Sequence, residues 1–325
     1  MAEHQGEQMR CIEPDYKELL DPKLIRRMSR IIKFGTAAAM DCLKDAGWDA
    51  VDAIVTGTAY GCLEDTGVFL SRMVEHDEQM LTPTAFIQST HNTIGAQIGL
   101  SLKSHSYNNT FVHRGFSFEH ALVDAQMLFH ENAAKRILAG AADEITTYSH
   151  AVLKRFNIYR KDASNIHLLR NPGKGTMAGE GASFFALHSE PNGNDYAKID
   201  GLKTILANGN ENMEPVIEGF LAAHSINVSG VGLVLMGVNG DEPHDAPLQK
   251  IANGIFGTTP VFGFKQFCGE YPTSSAFALW MAANICKEGK LPPTLAEVAL
   301  AKPLRVLIYN VDLTGHHSLI LVSSC

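Results

Sequence analysis

The chain has 325 residues, 45% of them apolar, which is enough for a large core and, at roughly 100–200 residues per domain, for two domains. A formal charge of −8, without the clustered Lys and Arg that phosphate binding needs, excludes a nucleic-acid surface. Six cysteines without CxxC spacing signal neither a zinc site nor a disulfide framework and fit a reducing compartment.

No apolar run reaches the ~18 residues of a membrane span, and the opening MAEHQGEQMR is polar where a signal peptide is apolar, so a cytoplasmic protein is expected. In chain order, Asp21 and Pro22 supply an N-cap and a first helical position. Leu24, Met28, Ile31, Gly35, Ala38 and Cys42 then recur at helical spacing until Gly47, which predicts one buried-face helix. The basic stretch KLIRRMSRIIK (23–33) reads as its polar face. VDAIVTGTAYG (51–61) reads as a buried strand and TGVFLSRMV as a helix; a helix at 92–102, a strand at 110–113, a helix at 117–131 and the strand RILAGAAD (136–143) follow. HDEQM and HENAAK read as solvated faces.

After a loop rich in Asn, Arg and Gly (157–176), ASFFALHS and YAKIDGLKTI read as strands, EPVIEGFLAAH as a helix and VGLVLMG as a strand. A helix over 272–289 and the strands LRVLIYN and HHSLILVSS complete the chain. This alternation predicts an α/β protein whose sheets are covered on both sides. Pro191, Asn192, Gly193 and Asn194 concentrate turn formers and place the expected domain boundary, giving halves of 1–190 and 191–325.

The stretch NNTFVHRGFSFEHAL (108–122) has the layout of a strand that turns sharply into a helix, where enzymes expose a nucleophile beside the unpaired N–H groups of the helix start. At the turn stands Gly115.

Five ordered motifs, LDPKLIRRMSRIIKFGTAAAMDCLKDAG, TPTAFIQSTHNTIGAQIGL, RILAGAADEIT, GTMAGEGASFFAL and KQFCGEYPTSSAFA, together resemble the β-ketoacyl synthase family of fatty-acid and polyketide condensing enzymes, from about Leu20 to the C-terminus. The resemblance implies a thiolase fold, two related α/β halves in a five-layer αβαβα arrangement. The family begins with a strand and a long loop, but only some twenty polar residues precede the Asp-Pro-Lys motif here. The first half's sheet is therefore expected to lack its N-terminal strand.

The family's chemistry uses a cysteine thiolate that accepts the acyl group and two histidines that hold the malonyl thioester carbonyl and stabilise the enolate. Carried over residue by residue, the resemblance puts Gly115 at the cysteine position, Met236 at the first histidine and Glu270 at the second, with Lys265 and Gly269 retained. Glycine forms no thioester, methionine offers no donor, and a carboxylate repels an enolate. Such degenerate synthases resemble the chain-length factors of type II polyketide systems. The wording FIQSTHNT with FSFEHALVDA is similar to the version associated with aryl polyene and flexirubin pigments. This implies no cofactor, an active ketosynthase as heterodimer partner or a homodimer, and an acyl carrier protein. The strand Thr110, Phe111, Val112 and His113 is expected to pair across the dimer axis.

Phe86, His91, Phe116, Ser117 and Phe118 are the candidates for lining or filling the pocket, Phe116 and Phe118 because they flank Gly115. Ser117 reads either as a helix-start cap or as a substitute nucleophile with His113 or His120. His91 reads either as tunnel lining or as a helix N-terminal hydrogen bond. Cys268 reads as a small buried residue, and Lys265 and Glu270, five apart, as a mutual pair. The second functional class left open is an acyltransferase, thioesterase or malonyl decarboxylase acting through Ser117 or a nearby histidine.

Overall fold

The computed structural model describes residues 2–207, 211–295, 298–300 and 302–325. Two compact units divide the chain: Met1–Met9, Asn157–Ala178 and Pro191–Cys325 form one, and Arg10–Phe156 with Gly179–Glu190 form the other. One cut falls between Glu190 and Pro191. The first nine residues and the loop 157–178, however, join the C-terminal residues, through bonds such as Gly6 N–H to Ala163 O, His4 N–H to Asn165 Oδ1 and Ala178 N–H to Glu7 O.

The elements run β1 (Gln8–Met9), α1 (Pro22–Ile25), α2 (Arg30–Ala46), β2 (Ala53–Gly57), α3 (Leu63–Glu75), α4 (Pro83–Gln88), α5 (Thr93–Leu102), β3 (Tyr107–Phe111), α6 (Ser117–His130), β4 (Arg136–Asp143) and α7 (Thr147–Lys154). They continue with β5 (Ala178–Gly179), β6 (Gly181–His188), β7 (Lys198–Leu206), α8 (Met213–Ala223), β8 (Leu233–Met236), α9 (Glu242–Gly254), β9 (Val261–Gly263), α10 (Lys265–Cys268), α11 (Ser274–Glu288), β10 (Arg305–Val311) and β11 (His316–Ser323).

The single helix expected between Pro22 and Gly47 is two. Asp21 caps α1 by accepting from Lys23 N–H, the chain leaves helical geometry at Ser29, and α2 runs on to Gly47, whose left-handed φ of 65° lets its N–H close back on Leu43 and Lys44. The hydrophobic spacing continues across the break because Met28, although outside a helix, is buried.

The two units share a strand order. In the C-terminal unit the sheet is β7-β11-β10-β8-β9, with β8 parallel to β9 and β10, β10 antiparallel to β11, and β11 antiparallel to β7. In the other it is β6-β4-β2-β3, with β2 parallel to β3 and β4, and β4 antiparallel to β6. Aligned this way, β6 matches β11, and nothing among the described residues of that sheet matches β7. This is the expected missing strand. Helix α2 packs along β6 instead, and Cys42 Sγ accepts the Ala186 backbone N–H, which blunts an edge that would otherwise invite pairing.

Each unit has its own core. Ile31, Ile32, Ala39 and Leu43 of α2 meet Ile54, Ile94, Ile98 and Leu138 in one. Ile217, Leu221, Val234, Leu248, Leu307 and Leu319 form the other. No described helix is long and apolar enough to cross a membrane.

Candidate functional site

The strand-turn-helix around Gly115 is present, with a correction to its strand. β3 covers Tyr107–Phe111, so Thr110 and Phe111 lie in it, whereas Val112 and His113 do not. At His113 the backbone leaves extended geometry (φ −143°, ψ 44°), Arg114 takes a left-handed φ of 46°, and a 3-10 turn over Arg114–Phe116 swings the chain into α6. That reversal ends the ladder two residues early.

Gly115 is buried in this turn. Ser117 is fully buried; its Oγ donates to Arg114 O (2.9 Å) and accepts from His113 N–H (2.8 Å), so the hydroxyl closes the turn. The His113 and Phe116 rings stack at 5.6 Å, and His120 lies 4.9 Å from His113 and 5.8 Å from Phe116. Phe118 is fully buried, 5.7 Å from Phe185. The end of β2 presses on the same place: a Cβ at Gly57 would sit 2.6 Å from Ser117 O and 2.8 Å from Phe118 N. The other two pocket candidates are exposed. Phe86 packs on Phe69 at 5.6 Å, and His91 lies over Gly61.

In the C-terminal unit Met236 ends β8 as a core residue, and its carbonyl accepts from Phe264 N–H. Lys265 and Glu270 do pair. The Lys265 Nζ donates to Glu270 Oε1 (3.0 Å), Glu270 Oε2 (2.8 Å) and Val311 O (2.7 Å), which uses all three of its protons. Asn239 Nδ2 donates to Glu270 Oε2 at 2.6 Å, and Asn239 is itself fixed by Asp245, Asp241 and Thr176. Lys265 has no exposed surface and Glu270 almost none. Such a network offers neither a free proton to a carbonyl nor an open acceptor for one. Cys268, beside it, is a buried thiol whose pKa is pushed up by desolvation.

Sequence reasoning missed Asn239 and Glu180. Glu180, within the GTMAGEGASFFAL motif, is a buried anchor. It takes a fork of two bonds from Arg30 (2.7 and 2.6 Å), the Cys11 N–H (3.0 Å) and the Ile145 N–H (2.9 Å). Near it Glu144 has one oxygen buried without a partner, and desolvation, then the Asp65 carboxylate, raise its pKa to about 8; burial raises Asp65 as well. A carboxyl raised in the fold stabilises fully below its unfolded value and loses that contribution as pH climbs through the folded one. The Glu144 contribution to unfolding free energy should therefore fall between about pH 4.5 and 8, and Glu144→Gln should remove that decline when its denaturant titrations are subtracted from wild type. Among the described residues no group of three or more His, Cys, Asp or Glu is arranged to hold a metal ion.

Two units with one strand order, each a mixed α/β layer built around three parallel strands, define a thiolase fold. Solved structures agree. The chain superposes on the ishigamide ketosynthase/chain length factor with a TM-score of 0.75 at 15% identity, covering 97% of this chain and 87% of that one. It superposes on the ketosynthase ApeO in complex with its chain length factor ApeC from Xenorhabdus doucetiae at 0.76 and 16%, covering 100% and 90%. For AntDE:AntF, a type II polyketide synthase carrier protein in complex with its ketosynthase, the values are 0.75 and 12%, covering 98% and 91%. No curated protein matches the sequence. Residues 3–158 match the family model described as β-ketoacyl synthase, N-terminal domain, so over that part the chain is similar to the family.

Proposed function

We propose that this chain is a catalytically degenerate ketosynthase homologue that works as the chain-length-factor-like partner of an active ketosynthase. The pair would handle chains on an acyl carrier protein in fatty-acid or polyketide assembly of the aryl polyene pigment type. The observation that carries this reading is the saturated Lys265–Glu270–Asn239 network where the family resemblance places a catalytic histidine. Gly115 and Met236 at the other two positions support it. The named neighbours, two ketosynthase and chain-length-factor systems and one ketosynthase with its carrier protein, are the kind of assembly the reading calls for. Altered chemistry on Ser117 has against it a buried hydroxyl already engaged on both sides.

Incubation of the purified chain with an acyl thioester of a carrier protein, followed by intact-mass measurement, tests the reading. The mass should stay that of the unmodified chain. An acyl adduct, on Ser117 or anywhere else, would sink it.

Pairing through β3 belongs to the same reading. β3 is an edge strand of its sheet, next only to β2 among the described residues, and Tyr107 on it is exposed. An edge of this kind is a template for another strand. An active ketosynthase should cover it in a heterodimer, and a second copy when the chain is made alone. Phe111→Pro removes a donor on the side facing β2, where Phe111 O accepts from Thr58 N–H, and should weaken that association by loosening β3 from its sheet. Sedimentation of the variant decides, and an association as tight as wild type would show that β3 is not the contact.

A further inference from the structure

Three histidines of the C-terminal unit stand outside the Lys265–Glu270 network but share its frame. His317 is the second residue of β11 and pairs with Val311 of β10, whose carbonyl accepts from Lys265 Nζ. The hairpin between these strands is closed by Asp312. Its Oδ1 accepts the Thr314 and His316 N–H groups (2.8 and 3.0 Å), and Gly315 turns the chain with a left-handed φ of 79°. His316 Nδ1 lies 3.2 Å from the same oxygen. The loop after β8 is built alike: Asp245 accepts the Asn239 and Gly240 N–H groups (2.9 and 2.8 Å) and has His244 Nδ1 at 3.0 Å.

His317 differs from the other two in that its partner is a phenol. Its Nδ1 lies 2.8 Å from the hydroxyl of Tyr309, which has no exposed surface and no other hydrogen-bond partner among the described residues. Tyr309 belongs to the apolar cluster of Met236, Leu248, Leu307 and Leu319, so its O–H has only His317 to donate to. A neutral imidazole offers the lone pair at Nδ1 that this requires. A second ring proton turns Nδ1 into a donor, the phenol oxygen must accept, and the phenol's own hydrogen loses its acceptor. The groups facing the ring are Asp312 and His316 in the hairpin, His244 on α9 and Glu211 ahead of α8; opposite it on β7 is the uncharged Ile205. Burial holds its pKa below the ordinary histidine value, His244 and His316 act in the same direction, and Asp312 and Glu211 oppose them without reversing the shift. The closed hairpin therefore binds this proton less tightly than a loosened one does. Closure is fully favoured above the ordinary value of about 6.5 and loses ground as pH falls below it.

We infer that His317 is a pH-sensitive catch on the β10–β11 hairpin: neutral, it accepts from the Tyr309 hydroxyl and holds the hairpin shut; protonated, it loosens the hairpin together with the Val311 carbonyl that anchors Lys265. Acidification thus reaches the buried network through the strand that carries it, without any proton reaching Glu270. The catch goes beyond the chain-length-factor reading and stands without it.

Backbone hydrogen exchange of the full chain, read by mass spectrometry at about pH 7.5 and about pH 5.5 and normalised to the unstructured rate at each, tests it. Protection over the hairpin and the start of β11 should fall roughly threefold or more on acidification, while β2 and β4 of the other unit keep theirs. His317→Gln can still accept from the Tyr309 hydroxyl but does not titrate, so its hairpin should be equally protected at both. Proton NMR of the wild-type chain reads the ring itself, and the His317 signal should titrate below that of an unstructured histidine. A hairpin indifferent to pH, a loss shared equally by β2 and β4, a His317→Gln chain that loosens as much as wild type, or a His317 signal titrating at or above the ordinary value would each overturn the inference. None of these outcomes bears on acyl transfer, so the reading of the site is tested separately.

Discussion

Replacing Lys265 by alanine should lower the unfolding free energy by about 3–5 kcal/mol, because it leaves the Glu270 carboxylate buried without its counter-charge. Lys265 is fully buried and gives all three protons to Glu270 and Val311 O, so the substitution strips two oxygens and a backbone carbonyl at once. The Asn239 bond to Glu270 survives and does not neutralise it. Replacing both ends with apolar residues, Lys265→Met with Glu270→Leu, should recover much of the loss, since an ion pair removed whole also removes its desolvation cost. Urea titration reads both. A loss under about 1 kcal/mol for Lys265→Ala would mean that water reaches the pair.

Phe118→Ala should cost a similar amount, about 3–5 kcal/mol, through the cavity it leaves. Phe118 has no exposed surface, touches Phe185, and begins the helix against which Gly57 packs without room for a methyl group. The surroundings cannot close over the void, because backbone on the β2 side is already in contact. Phe118→Leu should lose distinctly less. Equal losses for the two variants would show that ring shape, rather than buried volume, holds the turn.

What the sequence made legible follows from the physics of each element. β4 was read to the residue and α6 to within one, because an unbroken apolar run and a 3.6-residue spacing leave little choice there. β3 was misplaced because its first residues, Tyr107, Asn108 and Asn109, include poor strand formers, while the attractive Val112 lies beyond the point where Arg114 forces the turn. α9 is not legible in the sequence because Pro247 stands inside it. At the site, Lys265 and Glu270 are close in sequence and their pairing was readable. Asn239 and the Arg30–Glu180 fork depend on partners 31 and 150 residues away, which no local pattern encodes.

The catalytic reading turns on whether the chain alone can condense anything. The most direct measurement is mass spectrometry of the products after the purified chain, and its Gly115→Cys variant, are incubated with acyl and malonyl thioesters of a carrier protein. Neither should yield a β-ketoacyl product, because a restored thiol would still lack both carbonyl donors, Met236 having no proton to give and Glu270 being bound to Lys265 and Asn239. Turnover by the wild-type chain would contradict the account outright, and turnover by Gly115→Cys would show that the Lys265–Glu270 network does not close the site.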